Sequence, residues 1–318
     1  MAFGTTLENV FSWSKSRAEE FQECQRKYFY DRYASWGGWD KSAPPEARLA
    51  YVLKNLKNRW AWKGETVHHV IEDTLKSLRS GQPVSSAEAG ALLTEMMRKD
   101  FRSSKTKKYM EEPKKSVGLF EHEYQKPVSD AVWKTLHDES ARAVANFFAS
   151  ELYKELAADD KKNWLLIEGL EEFEFDGAKV YVKLDFARRK GDLIEIYDWK
   201  TGKEEKGASV QIGAYALYAM KKWNVPLEKV RAFLVYLSSP SPEPKAQRLD
   251  EGLIQDAERV MLESIRGMRA LLSDVARNVP KPREFFRYTE NERFCGNCNF
   301  YRMCEKYLPA GRQSSGKV

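Results

Sequence analysis

Apolar residues recur at helical spacing through most of the first half of the chain. Residues 14–34, "SKSRAEEFQECQRKYFYDRYA", set Phe21, Tyr28 and Phe29 on one stripe behind Ser14, a good N-cap, and predict a helix. "SWGGWDKSAPP" then breaks the pattern with two glycines and two prolines. Helical periodicity returns over 46–80, stops at "RSGQP", and resumes over 86–104 and 130–156, with a charged loop at 103–116. In the middle of the chain the period changes. "WLLIEGLEEFEFDG" (164–177) alternates and ends on Asp-Gly, a hairpin signal. "AKVYVKLDFARR" continues as a second strand, "KGD" turns, and "LIEIYDWKTG" is a third. A helix over 208–223, a strand over 230–239 and a helix over 250–275 follow. The order is a helical block, three meandering strands, helix, strand, helix. That predicts an α/β core with a helical insertion ahead of it.

Composition narrows the class. The 318 residues are 42% hydrophobic, enough for a sizeable core. No run resembles a signal peptide or an uncharged membrane span of about 18 residues, so the expectation is a soluble, cytoplasmic protein with no membrane partner. The formal charge of +6 is compatible with a nucleic-acid partner without requiring one. Basic runs at 102–115 and 187–192 are candidate phosphate contacts, though such runs are more often solvated faces. With nine tryptophans, "RWAW" and "SWGGW" are candidates for stacking on unpaired bases, though core packing is the commoner use.

The third strand is unusual in what it carries. Residues two apart share a face, so Asp198 and Lys200 point together, with Tyr197 and Trp199 opposite. Pairing across the "KGD" turn brings Asp185 near Asp198. Two carboxylates in one place repel unless a cation neutralises them, and a hard divalent ion takes oxygen ligands. An adjacent lysine stabilises charge developing on a phosphoryl group. A lone Asp-x-Lys is usually a surface ion pair. Here, however, Gln211 and Tyr215 follow one turn apart on a helix, where an amide and a phenol could bond a nucleic-acid backbone or stack on a base. Upstream, His68 shares a stripe with Ile71, Leu75 and Leu78 and faces inward, while His69 faces solvent.

Gly64 to His68, then Asp185, then Asp198-Trp199-Lys200-Thr201-Gly202, then Gln211 to Tyr215 resembles the RecB-like branch of the PD-(D/E)XK nuclease superfamily. "SWSKSRAEEFQECQRKYFYDRY" is similar to that branch's opening helix, except that Gln25 stands where a proline commonly follows the cysteine. The resemblance implies a restriction-endonuclease-like α/β core, a mixed central sheet flanked by helices. It implies Mg²⁺ or Mn²⁺ held by His68, Asp185, Asp198 and the backbone carbonyl of Trp199. Lys200 would be the catalytic lysine, and Gln211 and Tyr215 would position DNA. Glu168 is a further candidate acid, with Glu171, Glu172 and Glu174 as alternatives. The implied activity is metal-dependent hydrolysis of DNA, with exonucleolytic action on single strands or ends ahead of endonucleolytic. The alternative is a DNA- or partner-holding subunit that keeps the fold without turnover.

The four cysteines are the other informative set. Cys295, Cys298 and Cys304 form C-x2-C-x5-C, and Cys24 lies alone in the first helix. Four thiolates suit a zinc ion or an iron–sulfur cluster, and free buried thiols are the plainer reading. One remote cysteine with a tight trio is similar to the [4Fe–4S] arrangement of AddB-type nuclease domains and CRISPR-associated exonucleases, with structural Zn²⁺ as the alternative. The expected organisation is one nuclease domain over 1–308. It comprises a mainly helical part at 35–160, the sheet and catalytic core at 164–240, a cysteine segment at 285–308 closing on the first helix, and a disordered tail at 309–318. No phosphate-binding GxxxxGK[ST] loop is present, so unwinding would need a helicase partner in trans. A CRISPR integrase is the other partner the resemblance suggests.

Overall fold

A computed structural model describes residues 8–203 and 209–308. The predicted tail at 309–318 lies outside the described residues. In chain order the elements begin with β1 (Ser12–Trp13), α1 (Lys15–Glu23), α2 (Gln25–Phe29), a π-helical turn (Tyr30–Ala34) and α3 (Pro45–Lys54). The helical block follows as β2 (Leu56–Lys57), α4 (Arg59–Arg79), α5 (Ser86–Lys105), β3 (Gly118–Leu119), α6 (Phe120–Glu123), α7 (Asp130–Ala149) and α8 (Glu151–Ala158). Then come β4 (Trp164–Phe175), β5 (Ala178–Lys190), β6 (Leu193–Lys200), α9 (Ser209–Trp223), β7 (Val230–Tyr236), β8 (Pro244–Ala246) and α10 (Glu251–Arg269). The chain closes with β9 (Leu272–Asp274), β10 (Val279–Pro280), α11 (Glu292–Gly296) and α12 (Tyr301–Cys304).

Three predicted helices are each split by a polar residue that caps the next helix or turns the chain. The first breaks at Cys24, whose backbone is extended (φ −163°, ψ 109°). The second breaks at 55–58, where Asn58 accepts hydrogen bonds from the Trp60 and Ala61 N–H groups and starts α4 afresh. The third breaks at Ser150, which caps α8 through the Tyr153 N–H. The last long helix ends at Arg269, and Leu272–Asp274 is strand. Asp-Gly does make the first hairpin turn: Asp176 and Gly177 both take positive φ, +50° and +61°.

The described residues form two compact units: residues 8–55, 174–181 and 259–308, and residues 56–173, 182–203 and 209–258. In the first, β1 runs parallel to Lys179 and Val180 of β5. The C-terminal segment is tied to α2 by several bonds. The Arg26 N–H donates to the Arg287 carbonyl (3.0 Å) and Arg26 Nε to that of Phe286 (3.1 Å). The Gln25 side-chain oxygen accepts from the Arg287 N–H (3.1 Å). Phe29 packs on Phe286 and Tyr30 stacks on Phe300.

The second unit holds the ordered ladder β5-β6-β7-β8, with β6 antiparallel to β5 and parallel to β7. A parallel neighbour needs a crossover, and α9 supplies it. β6 is therefore a central strand, buried from Ile194 through Trp199. Tyr197 and Trp199 enter one aromatic core with Phe186, Phe147 of α7, and Val67, Val70 and Ile71 of α4. Trp199 meets Phe147 edge-on at 5.4 Å, and Tyr197 stacks on Phe233 at 5.1 Å. These contacts fix the strand whose other side chains form the site.

Candidate metal centre

The ladder pairs Phe186 with Tyr197, so the next rung sets Asp185 across from Asp198. Both are 4% exposed. Asp185 Oδ2 accepts the Trp199 N–H at 2.7 Å, which fixes its carboxylate at the end of the ladder. His68 reaches the same place from α4. Its Nδ1 lies 3.2 Å from Glu168 Oε1 and 3.3 Å from Asp185 Oδ1, and its Nε2 lies 2.9 Å from the Trp199 carbonyl oxygen. Gly64, one turn earlier, lets α4 run close to the end of β6: a Cβ there would sit 3.3 Å from Thr201 Oγ1. His69 is half exposed and faces Glu72 and Asp73.

Of the four acids of β4, Glu168 reaches His68. It is the one residue of that strand with a left-handed backbone (φ +46°), a conformation that costs energy in a non-glycine residue and recurs at functional sites. The kink turns its carboxylate inward, where the side chain is 2% exposed. Glu171 turns instead to the Tyr218 hydroxyl (2.7 Å). Sequence reasoning missed Lys183, whose Nζ lies 2.8 Å from Glu168 Oε2. The available signal was its place on β5 two residues before Asp185, which gives the two a shared face.

Lys200 Nζ approaches Asp198 Oδ2 to 2.5 Å and Gln211 Oε1 to 3.4 Å. Gln211 Nε2 donates to Asp198 Oδ1 (3.0 Å) and to the Tyr215 hydroxyl (2.6 Å). That hydroxyl lies 2.7 Å from the Lys183 carbonyl and 3.1 Å from Asp198 Oδ1, with one proton to give between them. Gln211 and Tyr215 thus hold Asp198. The expectation that Tyr215 could stack on a base is corrected: it is 4% exposed and its hydroxyl is spent inside the protein. Replacing Tyr215 by phenylalanine leaves the Lys183 carbonyl without that donor. The expected cost is about 1–2 kcal/mol, read from urea unfolding.

Burial lowers the His68 imidazole's affinity for a proton, but Asp185 and then Glu168 outweigh it and push its pKa up to about 10. Burial pulls Glu168 upward, and the cations of His68 and Lys183 bring it below its ordinary value. Burial pushes Asp185 above its ordinary value, and the charge of His68 pulls against it. The donor set is carboxylate, carbonyl and imidazole oxygen and nitrogen, suited to Mg²⁺ or Mn²⁺. Atoms of His68, Glu168 and Asp185 lie within 4.8 Å of one another, the one such cluster of three or more metal-ligating side chains among the described residues. Glu168 Oε2 and Asp198 Oδ2 are buried and face lysine ammonium groups at 2.8 and 2.5 Å, and a carboxylate oxygen keeps a second lone pair for a cation. The residues fit a divalent ion.

The basic run on the hairpin is corrected in part. Arg188 is 2% exposed and engages Glu195, Glu155 and the Tyr197 hydroxyl, so it cannot reach a phosphate. Lys190 pairs with Glu155. In "RWAW", Trp62 is core, with Nε1 donating to Asp100 Oδ2 (3.0 Å), whereas Trp60 is 56% exposed.

The four cysteines all lie in the first unit and form no disulfide. Cys24 sits between α1 and α2, its Sγ 3.9 Å from the Arg287 carbonyl. Burial pushes the Cys298 thiol up to about 12, with Cys24 and Cys295 adding to the shift. Burial also raises Cys304, with Cys298 and Cys24 adding to it. Among the described residues the four sulfurs do not form a group of three or more close enough together to share an ion.

Comparison with known proteins gives three findings. The family profile of the PD-(D/E)XK nuclease superfamily matches residues 12–305. No curated protein matches the chain. Eight chains of solved structure match, and one is described as a "Putative exonuclease" from Eubacterium rectale. That neighbour is 14% identical, with 84% of this chain and 86% of that one covered and a TM-score of 0.44.

Proposed function

The chain belongs to the PD-(D/E)XK nuclease superfamily, and from that premise we propose that it is a metal-dependent DNA exonuclease of the RecB-like, iron–sulfur branch, acting on single strands or DNA ends. The observation that carries the reading is the convergence of Asp185 and Asp198, both buried, on His68, Glu168 and Lys200 at the end of one ladder. A structural ion pair would need one acid and one base. A kinked backbone at Glu168 is a cost that a purely structural site need not carry.

On this reading His68, Asp185, Asp198 and the Trp199 carbonyl hold Mg²⁺ or Mn²⁺, with Glu168 as a further acid. Once bound, such an ion polarises a phosphoryl oxygen and lowers the pKa of an attacking water. The chain's own groups do the rest. Lys200 places its ammonium beside Asp198, where it stabilises charge gathering on the phosphate or orients the water. Gln211 and Tyr215 keep the Asp198 carboxylate in one orientation, and Trp199 N–H does the same for Asp185. Lys183 balances Glu168. Cys24, Cys295, Cys298 and Cys304 hold a structural [4Fe–4S] cluster within a single nuclease domain over 1–308. A helicase or an integrase acting in trans, and a place in CRISPR adaptation, recombination repair or phage DNA metabolism in the cytoplasm, follow from the branch alone. No helix is long and apolar enough to cross a membrane among the described residues.

The test of the exonucleolytic reading is a comparison of linear and circular single-stranded DNA with Mg²⁺ or Mn²⁺. Linear DNA is expected to disappear and circular DNA to survive. Equal loss of both contradicts it.

A further inference from the structure

We infer that Trp60 is a stacking platform for the DNA strand, seating a base about two nucleotides from the scissile phosphate. This rests on the nuclease reading of the His68–Asp198 cluster. Trp60, Gly64 and His68 stand at i, i+4 and i+8 on α4, so they share one stripe. Eight residues of helix put Trp60 about 12 Å from His68 along the axis, roughly two nucleotides of extended single strand.

The indole is exposed and yet held. Trp60 is 56% exposed although it belongs to the most hydrophobic class of side chain. The Arg59 guanidinium lies over its ring, 4.8 Å from the centroid, and Arg59 is itself pinned by the buried Glu121 at 3.2 Å. A braced ring loses little entropy when a second π-face meets it.

Trp60 also lines a cavity of about 450 Å³ with Lys63, Arg142, Thr201, Gly202 and Lys203, a volume in the usual range of ligand sites. Thr201 directly follows Lys200, so the cavity begins where the cluster ends. Lys63 is paired with Glu139 at 2.6 Å. Arg142 and Lys203 have no acidic partner among the described residues. An exposed aromatic face with unneutralised cations beside it is what single-stranded nucleic acid binds: bases stack and phosphates meet positive charge. A duplex keeps its bases stacked on each other and offers no face to Trp60.

The experiment has a binding arm and a turnover arm. In EDTA, where no cleavage is expected, fluorescein-labelled (dT)15 is titrated with wild type, Trp60→Ala and Trp60→Phe. Trp60→Ala is expected to bind about 5- to 100-fold more weakly, while Trp60→Phe stays within about threefold of wild type. With Mg²⁺, the ratio of kcat/KM for (dT)15 to that for d(TpT), too short to reach Trp60, is expected to fall in Trp60→Ala by the same factor. Unchanged (dT)15 binding by Trp60→Ala overturns the inference, as does an equal loss on both substrates, which marks Trp60 as structural. If wild type cleaves neither substrate, the nuclease reading fails, and the EDTA titration still decides on Trp60.

Discussion

Asp198→Ala is expected to lower DNA turnover about 10³-fold or more and to weaken Mn²⁺ binding measured by calorimetry. The side chain is 4% exposed and is met by Lys200, Gln211 and Tyr215 together, so it is the hub of the cluster. Removing it takes one of the negative charges that define the cation site and leaves three polar groups without their acceptor. Lys200→Ala separates two contributions. It is expected to cost about 10²–10³ in kcat, the scale of one charge-stabilising group. Its Mn²⁺ affinity should stay within about threefold of wild type, because an ammonium is not a ligand to a cation. Both variants must unfold cooperatively for the comparison to count. Turnover at the wild-type rate in either one refutes its assignment.

On the proposed cluster reading, Cys24→Ser is expected to yield protein without iron or brown colour and to destabilise it by several kcal/mol, since metal-binding energy at such a site is folding energy. Gln25→Ala is the contrasting variant. It removes only the side-chain oxygen that accepts the Arg287 N–H, so it is expected to cost about 1 kcal/mol and to keep the colour. The pair distinguishes a cluster from a backbone tie between α2 and the C-terminal segment. Wild-type protein prepared without oxygen that carries stoichiometric zinc and no iron contradicts the cluster. Wild-type melting by Cys24→Ser contradicts any structural role for the four thiols.

The strands of the core were legible because their signals are local. Alternation, Asp-Gly and a short turn fix β4, β5 and β6 from neighbouring residues alone, and the two-residue side-chain period places Asp185, Asp198 and Lys200. The helical stripe was enough to turn His68 inward and His69 outward. What was not legible depends on tertiary context. Periodicity runs unbroken through Cys24, 55–58 and Ser150, because a single capping residue does not disturb an apolar stripe. Glu168 could not be told from Glu171, Glu172 and Glu174 because its distinction is a backbone angle. Trp60 and Trp62 are two residues apart in one motif, and only the packing of α4 makes one core and the other surface. Arg188 read as a surface charge because its three partners come from distant or opposite strand positions. Gln25 occupies the first position of α2, where proline is favoured, and its side chain accepts from the Arg287 N–H, 262 residues away.

The central claim is that the cluster built from His68, Glu168, Asp185 and Asp198 cuts phosphodiester bonds with a divalent ion. It is tested most directly by incubating end-labelled single-stranded DNA with wild-type protein in Mn²⁺, in EDTA, and in EDTA followed by excess Mn²⁺. The account predicts digestion in the first, none in the second and recovery in the third. Digestion that persists in EDTA, or intact DNA under all three conditions, would contradict it.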